Sequence, residues 1–174
     1  MGEGPNDIGR WGDGVIGALA RRQVEAGWHV EDGCAWKKLS VFKVGGGLDI
    51  DEKRFGIAQQ SMREADCDVL LYARDVDGDE ERKRLLASLR DAHPEVALAV
   101  VDPCVEGWLL ELRGERKKHG WTKTASQKTL GELTTAEMES IVASWNRSTE
   151  HLSEDLRRWL ADVVRVLSAR GETS

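Results

Sequence analysis

Apolar residues return every three or four positions along much of the chain and run without interruption in two short places. Ile8, Trp11, Val15 and Leu19 lie at helical spacing and predict an amphipathic helix over residues 7–26, with Asn6 or Asp7 as its cap. Leu39 to Val44 predicts a strand that Gly45-Gly46-Gly47 ends, and residues 55–65 read as a second helix. Asp68-Val69-Leu70-Leu71-Tyr72-Ala73 and Val96 to Val101 are continuous apolar runs, the pattern of strands buried on both faces of a parallel sheet. Between them Asp79 can cap a helix over residues 80–92, with Leu85, Leu86 and Leu89 inward and Pro94 as the stop. Helical spacing resumes from Val105 to Leu112 with Trp108 and Leu109.

The last third differs. Arg113 to Gly131 is polar and reads as a loop. Thr134-Thr135-Ala136-Glu137 fits a capping box that opens a helix to about Ser144. Leu152, Leu156, Trp159, Leu160, Val163, Val166 and Leu167 mark a final amphipathic helix. Strands alternating with helices predict an α/β fold, a mainly parallel sheet flanked by helices. The expected division is an α/β domain over residues 1–112, a basic loop over 113–133 and a C-terminal helical extension over 134–170.

Composition adjusts this picture only in places. With 40% hydrophobic and 32% charged residues, the 174-residue chain is ordinary for a globular protein. It has neither a long apolar run nor a basic-then-apolar N-terminus, so a cytoplasmic protein without a membrane partner is expected. Cys34, Cys67 and Cys104 are widely spaced and suit small buried hydrophobes better than a disulfide framework or zinc site. Trp108 and Trp159 sit in apolar patterns and are expected in the core. The net charge of −6 weighs against nucleic-acid binding, yet Arg113, Arg116, Lys117, Lys118, Lys123 and Lys128 face one acid, Glu115, giving a local +5. Such a strip is a solvated loop or a grip on a phosphate backbone. Lys37, Lys38 and Lys43 are weaker candidates for that grip.

Ligand sites on parallel sheets lie beyond the carboxyl ends of the strands. Three acidic groups fall at or near such points. Glu3 and Asp7 flank Gly4-Pro5-Asn6 before the first helix, Asp75 and Asp77 follow the most apolar strand, and Glu106 follows the strand ending at Asp102-Pro103. Carboxylates that converge repel one another unless a cation lies between them, and Mg²⁺ takes hard oxygen donors. In an extended D-x-D both side chains point to one side, so Asp75 and Asp77 could share a metal. Each has a plainer reading: Asp7 and Asp79 as helix caps, Asp75-Val76-Asp77-Gly78 as a turn, Glu106 as a charge favoured at a helix N-terminus. An EF-hand is excluded, since counting from Asp75 as the first position the glycine stands fourth and Leu86 twelfth. The glycine triplet lacks the lysine of a P-loop, and His29, His93, His119 and His151 have no ligand spacing.

Glu3-Gly4-x-x-Asp7 before a helix, then an apolar strand and Asp75-x-Asp77, resembles the Toprim family over roughly residues 2–112. Pro103-Cys104-Val105-Glu106-Gly107-Trp108-Leu109 is similar to a signature of small Toprim-like proteins and RloB-type defence proteins. The resemblance implies Mg²⁺ (or Mn²⁺) held by Glu3, Asp75 and Asp77, with Asp7 and Glu106 completing a second, weaker position. It implies Glu3 as general acid/base or ligand, and phosphodiester hydrolysis of DNA or RNA by metal-activated water, with phage defence as a setting. The same residues resemble those of overcoming-lysogenization-defect nucleases. The family places a buried strand before this glutamate, where here only Met1 and Gly2 stand. The expectation is that the native protein starts upstream.

Tyr72, the only tyrosine, lies in a predicted buried strand, which excludes a topoisomerase. A primase needs a larger catalytic region. A small nuclease, with a protein partner or a homodimer left open, remains against a non-catalytic nucleic-acid-binding or partner-binding module and against a metal-dependent phosphatase with Asp75 as nucleophile and Asp77 as acid/base.

Overall fold

A computed structural model describes residues 14–24, 50–115 and 120–171. The described chain runs α1 (Gly14–Val24), α2 (Ile50–Glu64), β1 (Leu71–Asp75), α3 (Glu80–Ala92), β2 (Ala97–Val101), α4 (Val105–Leu112), α5 (Lys123–Leu130), α6 (Thr135–Ser144) and α7 (Glu154–Gly171). Among the described residues β1 and β2 form a parallel pair, with Leu71 opposite Ala97 and Asp75 opposite Val101. Parallel neighbours need a crossover, and α3 supplies it. The expected α/β class therefore holds for a helix-rich chain. The helix expected over 7–26 is described over 14–24, and the strand expected over 39–44 lies outside the described residues.

Successive side chains of a strand point to opposite faces, and both faces of this pair are covered. Ala73, Ala97, Ala99 and Val101 face a core with α1, α4, α6 and α7, in which Leu19, Trp108, Leu109, Trp145, Leu156, Trp159 and Leu160 are buried. Tyr72, Leu98 and Val100 face a smaller core with Phe55 and Ala58 of α2 and Leu86 of α3. The sheet is thus a middle layer between two helical layers. The helical extension expected over 134–170 is not an appendage: Met138, Val142, Leu156, Trp159 and Val163 share one core with β2. The amphipathic stripe of α7 is the face that covers the strand.

Helix ends follow their local chemistry. Asp79 caps α3 by accepting from the N–H groups of Glu81 and Arg82, both at 3.0 Å. Thr134 and Glu137 form the expected capping box at α6. Three boundaries differ from the sequence reading. The helix expected from Phe55 starts at Ile50, because its first turn is carried by Asp51 and Glu52 rather than by apolar residues. The strand expected over 68–73 is β1, shifted to 71–75 by its pairing with β2. The basic segment expected to be a loop contains α5, whose start Thr122 caps by accepting from the N–H of Ala125 at 3.2 Å.

Candidate functional site

β1 ends at Asp75, and the next residues are tied to the exit of β2. The N–H of Val76 donates to the carbonyl of Val101 and that of Asp77 to the carbonyl of Pro103, each at 2.9 Å. The chain then reverses: Asp77 and Gly78 have φ of 59° and 77°, and the N–H of Asp79 donates to the Val76 carbonyl at 3.0 Å. Two positive φ values in the centre of a hydrogen-bonded four-residue turn mark the type I′ geometry that Asp-Gly favours. The extended Asp75-x-Asp77 arrangement expected from the sequence is therefore corrected. Asp75 closes a strand, whereas Asp77 stands in a turn. Asp79 is the cap; the N–H of Arg82, then that of Glu81, holds its carboxyl below the usual range.

The Asp77 carboxylate carries two cations. Lys123 Nζ lies 2.6 Å from Oδ1 and Arg82 Nη1 3.3 Å from Oδ2. Arg82 reaches inward too, its Nε donating to Oδ2 of Asp51 at 3.2 Å. Asp51 accepts from Arg74 Nε through its other oxygen at 2.6 Å, and both of those side chains are only 5% exposed. Charges thus alternate from a buried Arg74–Asp51 pair, through Arg82 and Asp77, to Lys123 at the surface. The bond to Asp77 is the main reason the Lys123 ammonium sits above its ordinary pKa, and Asp75 and Cys104 add to it. Burial pushes the Cys104 thiol up to about 12, with Glu106 and Asp75 adding to the rise, so it stays protonated and is no nucleophile near neutrality. Asp75, Asp77, Cys104, Glu106 and Lys123 therefore share one neighbourhood at the carboxyl ends of β1 and β2.

Lys123 arrives there because α5 docks on α4. A Cβ on Gly107 would lie 3.3 Å from Pro103 Cδ, 3.6 Å from Ser126 Oγ and 3.7 Å from Trp121 Cβ. Ser126 is fully buried, and its hydroxyl donates to the Thr122 carbonyl at 2.9 Å. A larger residue at 107 must push α5 outward. Gly107→Val is expected to destabilise by about 1–3 kcal/mol, the usual cost of overpacking. Urea unfolding followed by tryptophan fluorescence measures it, and a neutral result would show that α5 does not rest on α4.

The predicted site residues separate clearly. Asp75, Asp77 and Glu106 come to the sheet's carboxyl edge; Glu3 and Asp7 lie outside the described residues, as do Arg116, Lys117, Lys118, Lys37, Lys38 and Lys43. Arg113 is exposed and pairs with Glu115 at 3.1 Å, and Lys128 is exposed on α5. Asp51, Arg74 and Arg82 had no place in the sequence reading. The available signal was Arg74 itself, a cation inside a strand between Ala73 and Asp75, which needs a buried partner. Tyr72 is 3% exposed against Phe55, and burial raises its phenol to about 12, which removes it as a nucleophile.

Carboxylate oxygens are the donors a hard divalent cation takes, so the chemistry of Asp75, Asp77 and Glu106 suits one. Among the described residues, however, no three His, Cys, Asp or Glu side chains converge in a metal-holding group. Both Asp77 oxygens hold side-chain cations instead. Among the described residues no helix is long and apolar enough to cross a membrane. No protein-family model, curated protein or solved structure matches the chain.

Proposed function

We propose that the carboxyl edge of β1 and β2 is a divalent-cation-dependent centre that hydrolyses phosphodiester bonds of DNA or RNA, as Toprim-type nucleases do. The observation that supports it is the grouping of Asp75, Asp77 and Glu106 with Lys123 where parallel sheets place their ligands. Asp75, Asp77 and Glu106 would hold Mg²⁺ or Mn²⁺, with Glu3 and Asp7 completing the set. When bound, such an ion supplies Lewis-acid stabilisation of charge on the phosphate oxygens. Lys123 neutralises the same charge from the protein side. Arg113, Lys128 and the basic residues 116–118 would hold the backbone of the nucleic acid. Glu3 handles the proton. A role in phage defence is an analogy to the family.

A non-catalytic nucleic-acid-binding or partner-binding module is the second reading, favoured by the double pairing of Asp77 to Lys123 and Arg82. One assay separates the two. Single- and double-stranded DNA and RNA are incubated with the protein and Mg²⁺ or Mn²⁺, beside Asp75→Asn and Glu106→Gln. Each variant is expected to lose about a hundredfold in rate, the scale of removing one group placed for charge stabilisation. Cleavage that persists in both variants, or is absent from the native chain, would leave the binding module standing.

A further inference from the structure

One edge of β2 meets no strand among the described residues. The N–H of Ala97 donates to the Leu70 carbonyl at 3.2 Å, and the Val101 carbonyl accepts from Val76 at 2.9 Å, so both residues turn their backbone polar groups toward β1. Neighbouring residues of a strand turn theirs to opposite edges, which aims those of Leu98 and Val100 away from β1. Yet Leu98 is 0% and Val100 2% exposed, so something other than a strand covers that edge.

The cover is a row of polar contacts between α3 and α7. Both helices pack on β2, α3 from the face of the smaller core and α7 from that of the larger. Side chains from opposite faces of the pair meet by passing round the edge of β2 that β1 leaves open. Lys83 Nζ lies 3.5 Å from Asp155 Oδ2, Arg158 Nη2 lies 2.5 Å from Asp91 Oδ1, and Arg165 Nη1 donates to the Pro94 carbonyl. Lys83 also pairs with Asp102, the residue after β2, at 2.5 Å, while Pro94 stands shortly before the strand. From Asp155 to Arg165 a helix advances about 15 Å, and a five-residue strand is about 16 Å long, so the row runs the whole length of β2.

We infer that this row is an ionic clasp that keeps the free edge of β2 from pairing with the same edge of a second copy of the chain. The inference is independent of the phosphodiester reading above. An uncovered strand edge is a template for another strand. β2 is suited to that pairing, since Ala97-Leu98-Ala99-Val100-Val101 holds neither a charge nor a proline. Two copies about a twofold axis offer each other this edge in antiparallel order, with Leu98 of one opposite Val100 of the other. The clasp is light. Arg158 and Asp91 are 47% and 57% exposed, and a pair of that kind favours the closed form by about fivefold or less. The edge therefore opens locally, without unfolding of the chain, and salt promotes the opening.

Residue-resolved amide hydrogen exchange and sedimentation velocity on the full chain test the clasp together. Arg158→Glu turns its attraction for Asp91 into repulsion. In dilute protein it is expected to speed exchange at Leu98 and Val100 about fivefold, with Ala99 and Val101, which face β1, within about twofold of native. At higher concentration Arg158→Glu is expected to associate, and protection is expected to return at Leu98 and Val100 as it does. Adding Asp91→Arg restores the pair with its signs exchanged and is expected to reverse most of both effects. Asp91 also meets Arg90 Nε at 3.4 Å, a contact the exchange of signs does not restore. Raised salt is expected to move the native chain in the same direction as Arg158→Glu, and that arm decides the matter if the variant does not fold. Unchanged exchange at Leu98 and Val100, or an equal rise at all four residues, overturns the clasp. Association without protection at Leu98 and Val100 places the contact elsewhere and overturns the pairing of β2 edges. A native chain already paired through those two amides overturns the inference as well.

Discussion

Asp51→Ala is expected to lower the stability of the folded chain by about 3–5 kcal/mol, the cost of breaking a buried ion pair from one side. The Asp51 and Arg74 side chains are each 5% exposed, and the 2.6 Å contact between them bridges α2 and β1. Burial, then Arg82, pulls the Arg74 guanidinium below its ordinary pKa. A guanidinium is nevertheless charged at neutral pH. Without Asp51 the buried cation loses the carboxylate it meets at 2.6 Å, and of the named charges around it Arg82 is alike while Asp77 and Asp75 are opposite. The double variant Asp51→Leu with Arg74→Met is expected to recover most of the loss, because apolar residues of similar volume remove the desolvation cost on both sides. Urea unfolding of the two variants decides the matter. A loss under about 1 kcal/mol for Asp51→Ala would mean that water reaches Arg74, as at an exposed pair. The same substitution frees Arg82 from behind, so it also loosens the Asp77 turn.

What could be read from the sequence follows from how each element is specified. α3 and α4 were legible because their limits are local: Asp79 caps one, Pro94 follows it, and Val105 to Leu112 is apolar at helical spacing. The capping box at Thr134 is local in the same way. α5 was not legible, since Lys123-Thr124-Ala125-Ser126-Gln127-Lys128-Thr129-Leu130 offers almost no apolar stripe; what fixes it is contact with Gly107, a residue of another helix. The start of α2 was missed because Asp51 is charged and buried, against the usual partition. At the site, the position of Asp75 after an apolar strand was readable, and so was the turn chemistry of Asp77-Gly78. The pairing of Lys123 with Asp77 was not, because 46 residues separate them and only the docking of α5 brings them together. Lys123 was expected as one of a basic strip; it is the member that reaches the acids.

The placement of the two C-terminal helices also escaped the sequence, and Trp159 shows why they belong to the core. Its indole is 1% exposed, lies 5.7 Å from the ring of Trp108 and donates its N–H to the carbonyl of Ala97 at 3.3 Å. The strand makes room for it: on the face toward α7, β2 presents Ala97 and Ala99, small residues that let a helix with a large side chain approach. The opposite face carries Leu98 and Val100 against the smaller core. Trp159→Ala is expected to cost about 3–5 kcal/mol, the range for emptying a buried aromatic position. Trp159→Phe is expected to cost less, losing the bond to Ala97 at about 1 kcal/mol together with part of the contact area. Chemical denaturation of both variants reads the difference. If Trp159→Ala cost under about 1 kcal/mol, α7 would behave as the detachable extension first expected. A loss in the full range, by contrast, means that β2 and the acids at its carboxyl end are held in place from the α7 side as firmly as from α3. Substitutions far along the chain from Asp75 would then weaken the site through the strand.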